Sequence, residues 1–126
     1  MPAFAPLPQP AHVLLVEDET LIRMMAADVL EEAGFTVTEA ATADAAWSIL
    51  NLRPDDIGVL FTDVDMPGSM DGVTLVERVA ASWPHIRLVV TSGRHPLADR
   101  DLPDNGRFLG KPYHPSELMG AIDRAA

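Results

Sequence analysis

The sequence places acidic, hydroxyl and ammonium groups directly after short apolar runs. Glu17-Asp18 follows His12-Val13-Leu14-Leu15-Val16, and Asp63 follows Ile57-Gly58-Val59-Leu60-Phe61-Thr62. Thr91-Ser92 closes the run that starts at Ile86, and Lys111-Pro112 comes soon after Phe108-Leu109. If these ends converge, three carboxylates repel one another, which raises pKa values and costs stability unless a cation compensates. Oxygen-only ligands favour Mg²⁺ over Zn²⁺. A phosphate at such a place finds a divalent cation, an ammonium and a hydroxyl around its oxygens, which are the parts phosphoryl transfer needs. A carboxylate can itself be the nucleophile and become an aspartyl phosphate. Lys111 stands out because the other basic residues are all Arg.

The elements that must position these groups alternate in type. Apolar runs at 12–16, 35–38, 57–62, 86–91 and 108–109 read as strands. Between them, Leu21, Ile22, Met25, Val29 and Leu30 recur at helical spacing, and Gly34 closes that segment. Thr42 through Leu52 reads as a helix capped by Thr42. Val73 through Trp83 reads as a helix stopped by Pro84. A short helix is expected over Pro96–Asp101 and a final one over Pro115–Ala125, each with Pro at its first position. Strict alternation implies a five-stranded parallel sheet, doubly wound, in an α/β/α three-layer arrangement. In such sheets ligands bind outside the carboxyl ends of the strands, where the acids, Thr91 and Lys111 are expected.

Length and charge narrow the function. The 126 residues suit one domain: a Pro-rich tail at 1–11 and a folded unit at 12–126. Cys is absent, which excludes a disulfide scaffold, a thiolate metal site and a Cys nucleophile. The net charge of −10 disfavours direct nucleic-acid binding. No apolar run reaches membrane-span length, and the first residues lack the pattern of a signal peptide, so a cytoplasmic protein is expected.

Taken together, several segments resemble the receiver domain of two-component response regulators. They are Val13-Leu14-Leu15-Val16-Glu17-Asp18-Glu19, Phe61-Thr62-Asp63-Val64-Asp65-Met66-Pro67, Met70-Asp71-Gly72, Val89-Val90-Thr91-Ser92-Gly93 and Lys111-Pro112-Tyr113. The resemblance spans 12–126 and implies a flavodoxin-like (βα)5 fold. It implies that Asp63 accepts a phosphoryl group from a histidine kinase or a histidine phosphotransfer protein, with Mg²⁺ as cofactor. Asp18, Asp63, Glu17 and the backbone carbonyl of Asp65 are then the metal site. Lys111 contacts the phosphoryl oxygens, Thr91 moves toward them, Phe108 takes the aromatic switch position, and the Lys111-Pro112 bond is cis. Two departures stand out: the 68–72 loop is one residue longer than the common form, and the stretch between Thr91 and Phe108 is short, with Pro96 and Pro103. The Asp65 side chain is placed to orient water and set the lifetime of the phosphorylated state.

Plainer readings exist for each feature. Acid pairs often open solvated helices, Phe108 could be an ordinary core aromatic, and the four His lack metal-ligand spacing. Asp63-Val64-Asp65 also resembles the Asp-x-Asp start of haloacid-dehalogenase-type phosphatases, in which the second Asp is a general acid/base. The remaining alternatives are a scaffold that uses the fold only for contact and the receiver portion of a longer hybrid kinase. The expected mode is a switch acting through protein–protein contact on a downstream target, as a monomer or weak dimer, with no output domain in this chain. Self-phosphorylation followed by slow autodephosphorylation is expected, not enzymatic turnover of other substrates.

Overall fold

The structure, a computed structural model, describes residues 11–66, 70–93, 99–104 and 106–124. The strands are β1 (His12–Val16), β2 (Thr36–Ala40), β3 (Val59–Asp63), β4 (Arg87–Ser92) and β5 (Arg107–Gly110). They form one parallel sheet in the order β2-β1-β3-β4-β5. The helices are α1 (Thr20–Glu32), α2 (Ala43–Leu52), α3 (Gly72–Ser82) and α4 (Pro115–Arg124). No helix among the described residues is long and apolar enough to cross a membrane.

β3 is buried along its whole length, and β1 and β4 are buried beyond their first residues, because helices cover both faces. Leu14, Leu60, Leu88 and Val90 face one core with Leu50, Leu75 and Val79 of α2 and α3. Val13, Phe61 and Val89 face the other, with Leu30 of α1 and Leu118 and Ile122 of α4. Alternation along each strand thus feeds two separate cores.

Local chemistry sets the helix ends. Thr42 Oγ1 accepts from the Ala45 amide at 3.0 Å and starts α2 as expected. Asp71 Oδ1 accepts from the Thr74 amide at 2.8 Å and starts α3. Glu117 reaches back to the His114 amide at 2.8 Å, one half of a capping box, with Pro115 at the first position of α4. Gly34, at φ +97°, turns the chain out of α1 in a conformation that side chains resist.

Several boundaries differ from the sequence reading. β2 starts at Thr36 and runs on to Ala40, because the Phe35 amide still bonds the Leu30 carbonyl of α1 while Ala40 pairs with Val16. β3 starts at Val59, because Pro54–Asp56 forms a 3₁₀ turn that the apolar pattern did not reveal. β4 extends to Ser92, which pairs with Gly110. Ala11, read as the end of the tail, is buried, and its carbonyl accepts from the Thr36 amide. Of the short helix expected at 96–101, residues 99–101 form a 3₁₀ turn, and 96–98 lie outside the described residues. Residues 1–10 of the tail, 67–69 (Pro67 and the first two residues of the lengthened 68–72 loop) and 125–126 also lie outside them.

At the amino-terminal edge of the sheet, His12 Nε2 lies 2.6 Å from Thr38 Oγ1, which also accepts from Arg53 at 3.2 Å. Burial, then the Arg53 charge, hold the His12 pKa below its usual 6.5, and Asp56 opposes them weakly. The unfolded chain therefore takes up this proton first as pH falls. His12's contribution to stability is intact above pH 6.5 and declines from there down to its folded-state pKa. Titration followed by NMR is expected to place the His12 midpoint below 6.5; a midpoint at or above that value contradicts the assignment.

Candidate functional site

Parallel pairing brings the carboxyl ends of the strands to one edge, and the register fixes which residues meet there. Asp63 is level with Thr91, Thr62 with Val16, and Ser92 with Gly110. Glu17 continues from β1, its amide bonded to the Ala40 carbonyl at 3.1 Å. Lys111 follows β5, its amide bonded to the Ser92 carbonyl at 3.1 Å, and the Lys111-Pro112 bond is cis.

The expected groups do converge. Glu17, Asp18 and Asp63 each offer a carboxylate oxygen within 4.8 Å of the others. Lys111 Nζ donates to Glu17 Oε1 at 2.7 Å and to Asp63 Oδ2 at 3.1 Å. Glu17 and Asp63 are only 3% and 4% exposed, so little water screens their charges. Burial pushes the Glu17 carboxyl above its usual pKa, the Asp63 charge adds to this, and the Lys111 hydrogen bond offsets only part of it. For Lys111, burial works to lower the pKa, but bonds to two carboxylates outweigh it and hold the ammonium above its usual value.

Three acids against one ammonium leave a surplus of negative charge in a half-dry site, and all the acidic donors are hard oxygens. Among the described residues, the Thr91 hydroxyl is the buried side-chain polar group without a hydrogen-bond partner. A buried hydroxyl left unpaired costs roughly 1–3 kcal/mol, so this one is poised for an acceptor that is not part of the fold. The residues thus fit a small divalent cation and an oxyanion side by side.

Asp65 is tied to the same edge. Its amide donates to Asp63 Oδ1 at 3.2 Å, and its Oδ2 accepts from Ser92 Oγ at 3.1 Å. Phe108 is half-buried and packs with the α2–α3 core, its amide bonded to Asp99 Oδ1 at 2.8 Å. Thr91 instead lines a narrow cleft with Phe61 and Tyr113. Of the His residues, His12, His85 and His114 belong to no metal-binding cluster among the described residues, and His95 lies outside them.

Three supporting residues received no role in the sequence reading, although Tyr113 and Gly72 stand in segments that carry the resemblance. Arg23 Nη1 donates to the Glu17 carbonyl at 2.8 Å while its Nε bonds Glu39, which braces the acid pair against β2. Nothing in the α1 pattern distinguishes Arg23 from a solvated charge. The Tyr113 ring packs edge-on to Phe61 with centroids 5.8 Å apart, and burial, then the Glu17 charge, raises its pKa. Gly72 passes directly over the Asp63 backbone, and an added Cβ would stand 2.0 Å from the Asp63 carbonyl oxygen.

Known proteins resemble this chain in sequence and fold. A profile described as the response regulator receiver domain matches residues 13–123. The response regulator receiver protein CpdR of Brucella abortus (strain 2308) is 31% identical over 116 residues, covering 90% of this chain and 94% of that protein. The sensor kinase CckA of the same organism is 37% identical over 115 residues, covering 89% of this chain but only 12% of the kinase. The crystal structure of the receiver domain from the hybrid histidine kinase CckA superposes with a TM-score of 0.76 at 30% identity, covering 90% of this chain and 96% of that one. Matched from Val13 to Asp123, with its acids and Lys111 gathered at the sheet edge, the chain belongs to the response regulator receiver domain family.

Proposed function

We propose that Asp63 is the phosphoacceptor of this receiver, taking its phosphoryl group from a phosphohistidine on a histidine kinase or a histidine phosphotransfer protein. The observation that carries the reading is the setting of Asp63: its carboxylate is bonded to Lys111 and flanked by Glu17 and Asp18, beside the unpaired Thr91 hydroxyl. An Asp63 carboxylate oxygen attacks phosphorus, a P–O bond forms, and the P–N bond to the donor imidazole breaks. The electron pair leaves on the imidazole nitrogen, which takes up a proton from water.

The other groups follow from this step. Glu17, Asp18, Asp63 and the Asp65 carbonyl are the residues that would hold Mg²⁺, which supplies charge neutralisation at the phosphoryl oxygens. Lys111 keeps its ammonium charge at neutral pH and offers donors to the same oxygens. Thr91 gains the acceptor it lacks, and that gain biases a two-state equilibrium. Phe108 is assigned the switch position on β5. Asp65, steadied by Ser92, is placed to orient the water that later hydrolyses the acyl phosphate. The phosphorylated chain signals through contact with a protein target in the cytoplasm, as a monomer or weak dimer. Family members are signalling proteins and not conventional enzymes.

Intact-mass spectrometry after incubation with acetyl phosphate tests the reading. A single phosphoryl adduct that needs Mg²⁺ is expected. Absence of an adduct, together with absence of beryllofluoride binding, overturns it.

Mg²⁺ is also expected to stabilise the fold, because it relieves repulsion among Glu17, Asp18 and Asp63. At about 100 times its dissociation constant the gain is about 2.7 kcal/mol. At this size that is a rise of roughly 10 °C in melting temperature. An unchanged melting temperature at saturating Mg²⁺ counts against the site.

A further inference from the structure

Tyr113 stands between two hollows. One is the cleft beneath the acids, walled by Glu17, Asp63, Thr91 and Phe61, with no room for a water molecule. The other is an open, mostly apolar groove of about 370 Å³ between α1 and the start of α4, walled by Met25, Val29, Lys111, Pro112 and Pro115. Tyr113 lines both, as do Ile22 and Ala26 of α1.

The links on the cleft side are direct. Tyr113 lies two residues beyond Lys111, whose ammonium bonds Glu17 and Asp63. Its ring meets Phe61, which lies two residues before Asp63 on β3. Phe108 packs with the other core, so Tyr113 is the aromatic of the β5–α4 region that shares Thr91's cleft. On the groove side, Met25 is 61% exposed and its thioether adapts readily to a changed neighbour.

A close-packed cleft takes up a new group by moving a wall, not by compression. Ile22 and Ala26 sit within α1, which Arg23 braces to Glu17 and Glu39. Tyr113 sits on the short connection between β5 and α4, where turning one side chain suffices. We propose that Tyr113 is a positioning residue that couples the two hollows: a phosphoryl group on Asp63 reorients its ring and so reshapes the groove. The proposal rests on Asp63 being the acceptor. By linkage, any ligand of the groove that favours one ring orientation changes the affinity for a phosphoryl mimic by the same factor that the mimic changes its own.

The test uses the full chain with beryllofluoride and Mg²⁺, read by NMR. Tyr113 is the one Tyr, so its ring signals are unambiguous, and Met25→Leu assigns the Met25 methyl among six Met. Saturation is expected to shift the Tyr113 ring and the Met25 methyl together. Tyr113→Phe keeps the Met25 shift because the ring remains. Tyr113→Leu loses most of it, while the Thr91 amide still responds and thermal unfolding stays cooperative. An undiminished Met25 shift in Tyr113→Leu overturns the coupling, as does an unmoved Tyr113 ring in the wild type while the Thr91 amide shifts. If no amide near Asp63 or Thr91 responds, the phosphoacceptor reading itself fails and the coupling falls with it.

Discussion

Asp63→Asn is expected to lose the Mg²⁺-dependent phosphoryl adduct, with the labelling rate falling on the order of 10³-fold or more. A carboxylate oxygen carries the charge and lone pair that attack phosphorus, and an amide oxygen is a far poorer nucleophile. The fold is expected to survive. Asn keeps an oxygen for the Asp65 amide, which now bonds Asp63 Oδ1 at 3.2 Å, and Lys111 keeps its 2.7 Å bond to Glu17. Removing one of three crowded acids also relieves repulsion. Unfolding without Mg²⁺ should therefore occur at or above the wild-type temperature, and Mg²⁺ should raise it less than in the wild type. Intact mass and peptide mapping decide the matter. A stable adduct on the variant, at Asp18 or elsewhere, removes Asp63 from the acceptor role.

Gly72→Ala is expected to be the most damaging of the small substitutions near the site. Its Cβ would lie 2.0 Å from the Asp63 carbonyl oxygen and 2.9 Å from both the Asp63 carbonyl carbon and the Val64 Cα. These are backbone atoms, so no side chain can swing aside. Gly72 is held there from both directions: its amide bonds the Val64 carbonyl at 3.1 Å, and Asp71 caps α3 beside it. Either α3 lifts off β3 or the end of β3 moves, and the second displaces Asp63. Overpacking costs typically 1–3 kcal/mol and occasionally more, and backbone against backbone belongs at the upper end. Melting is expected to drop by roughly 10 °C, with slower phosphorylation of whatever stays folded. Gly93→Ala is the matched control, since its Cβ meets Lys111 Cβ at 3.6 Å, an ordinary contact, and a change under about 0.5 kcal/mol is expected. A Gly72→Ala protein that melts with the wild type contradicts the close approach.

The two substitutions separate what could be read in the chain from what could not. Asp63 was legible as a candidate through its context: alone, a carboxylate after a mostly apolar run is an ordinary strand end, but Glu17-Asp18 and Lys111 end or follow runs of the same kind. Parallel pairing then requires those ends to share an edge. The Thr42 cap and the Gly34 stop were legible because capping is local, decided within a few residues. Gly72 stands in one of the resembling segments, but nothing local there showed its packing role. Its requirement comes from the Asp63 carbonyl, nine residues earlier, and from the close approach of the start of α3 to the end of β3.

Other features depend on long-range geometry in the same way. The 94-residue separation of Glu17 and Lys111 hides a 2.7 Å ion pair that becomes visible only once β1 and β5 lie in one sheet. Strand alternation could put Phe108 and Thr91 on either face, and the register of β4 and β5 sends Phe108 to the α2–α3 core and leaves Tyr113 in Thr91's cleft. Residue type and order were enough to determine the α/β alternation, the sheet edge that the strand ends share and the acids that gather there, because hydrophobic periodicity is local and parallel pairing puts the carboxyl ends of all the strands on one side. Which backbone atoms touch, which hydroxyl is left unpaired and which aromatic stands beside it were decided by tertiary packing, because those contacts join residues that no sequence spacing relates.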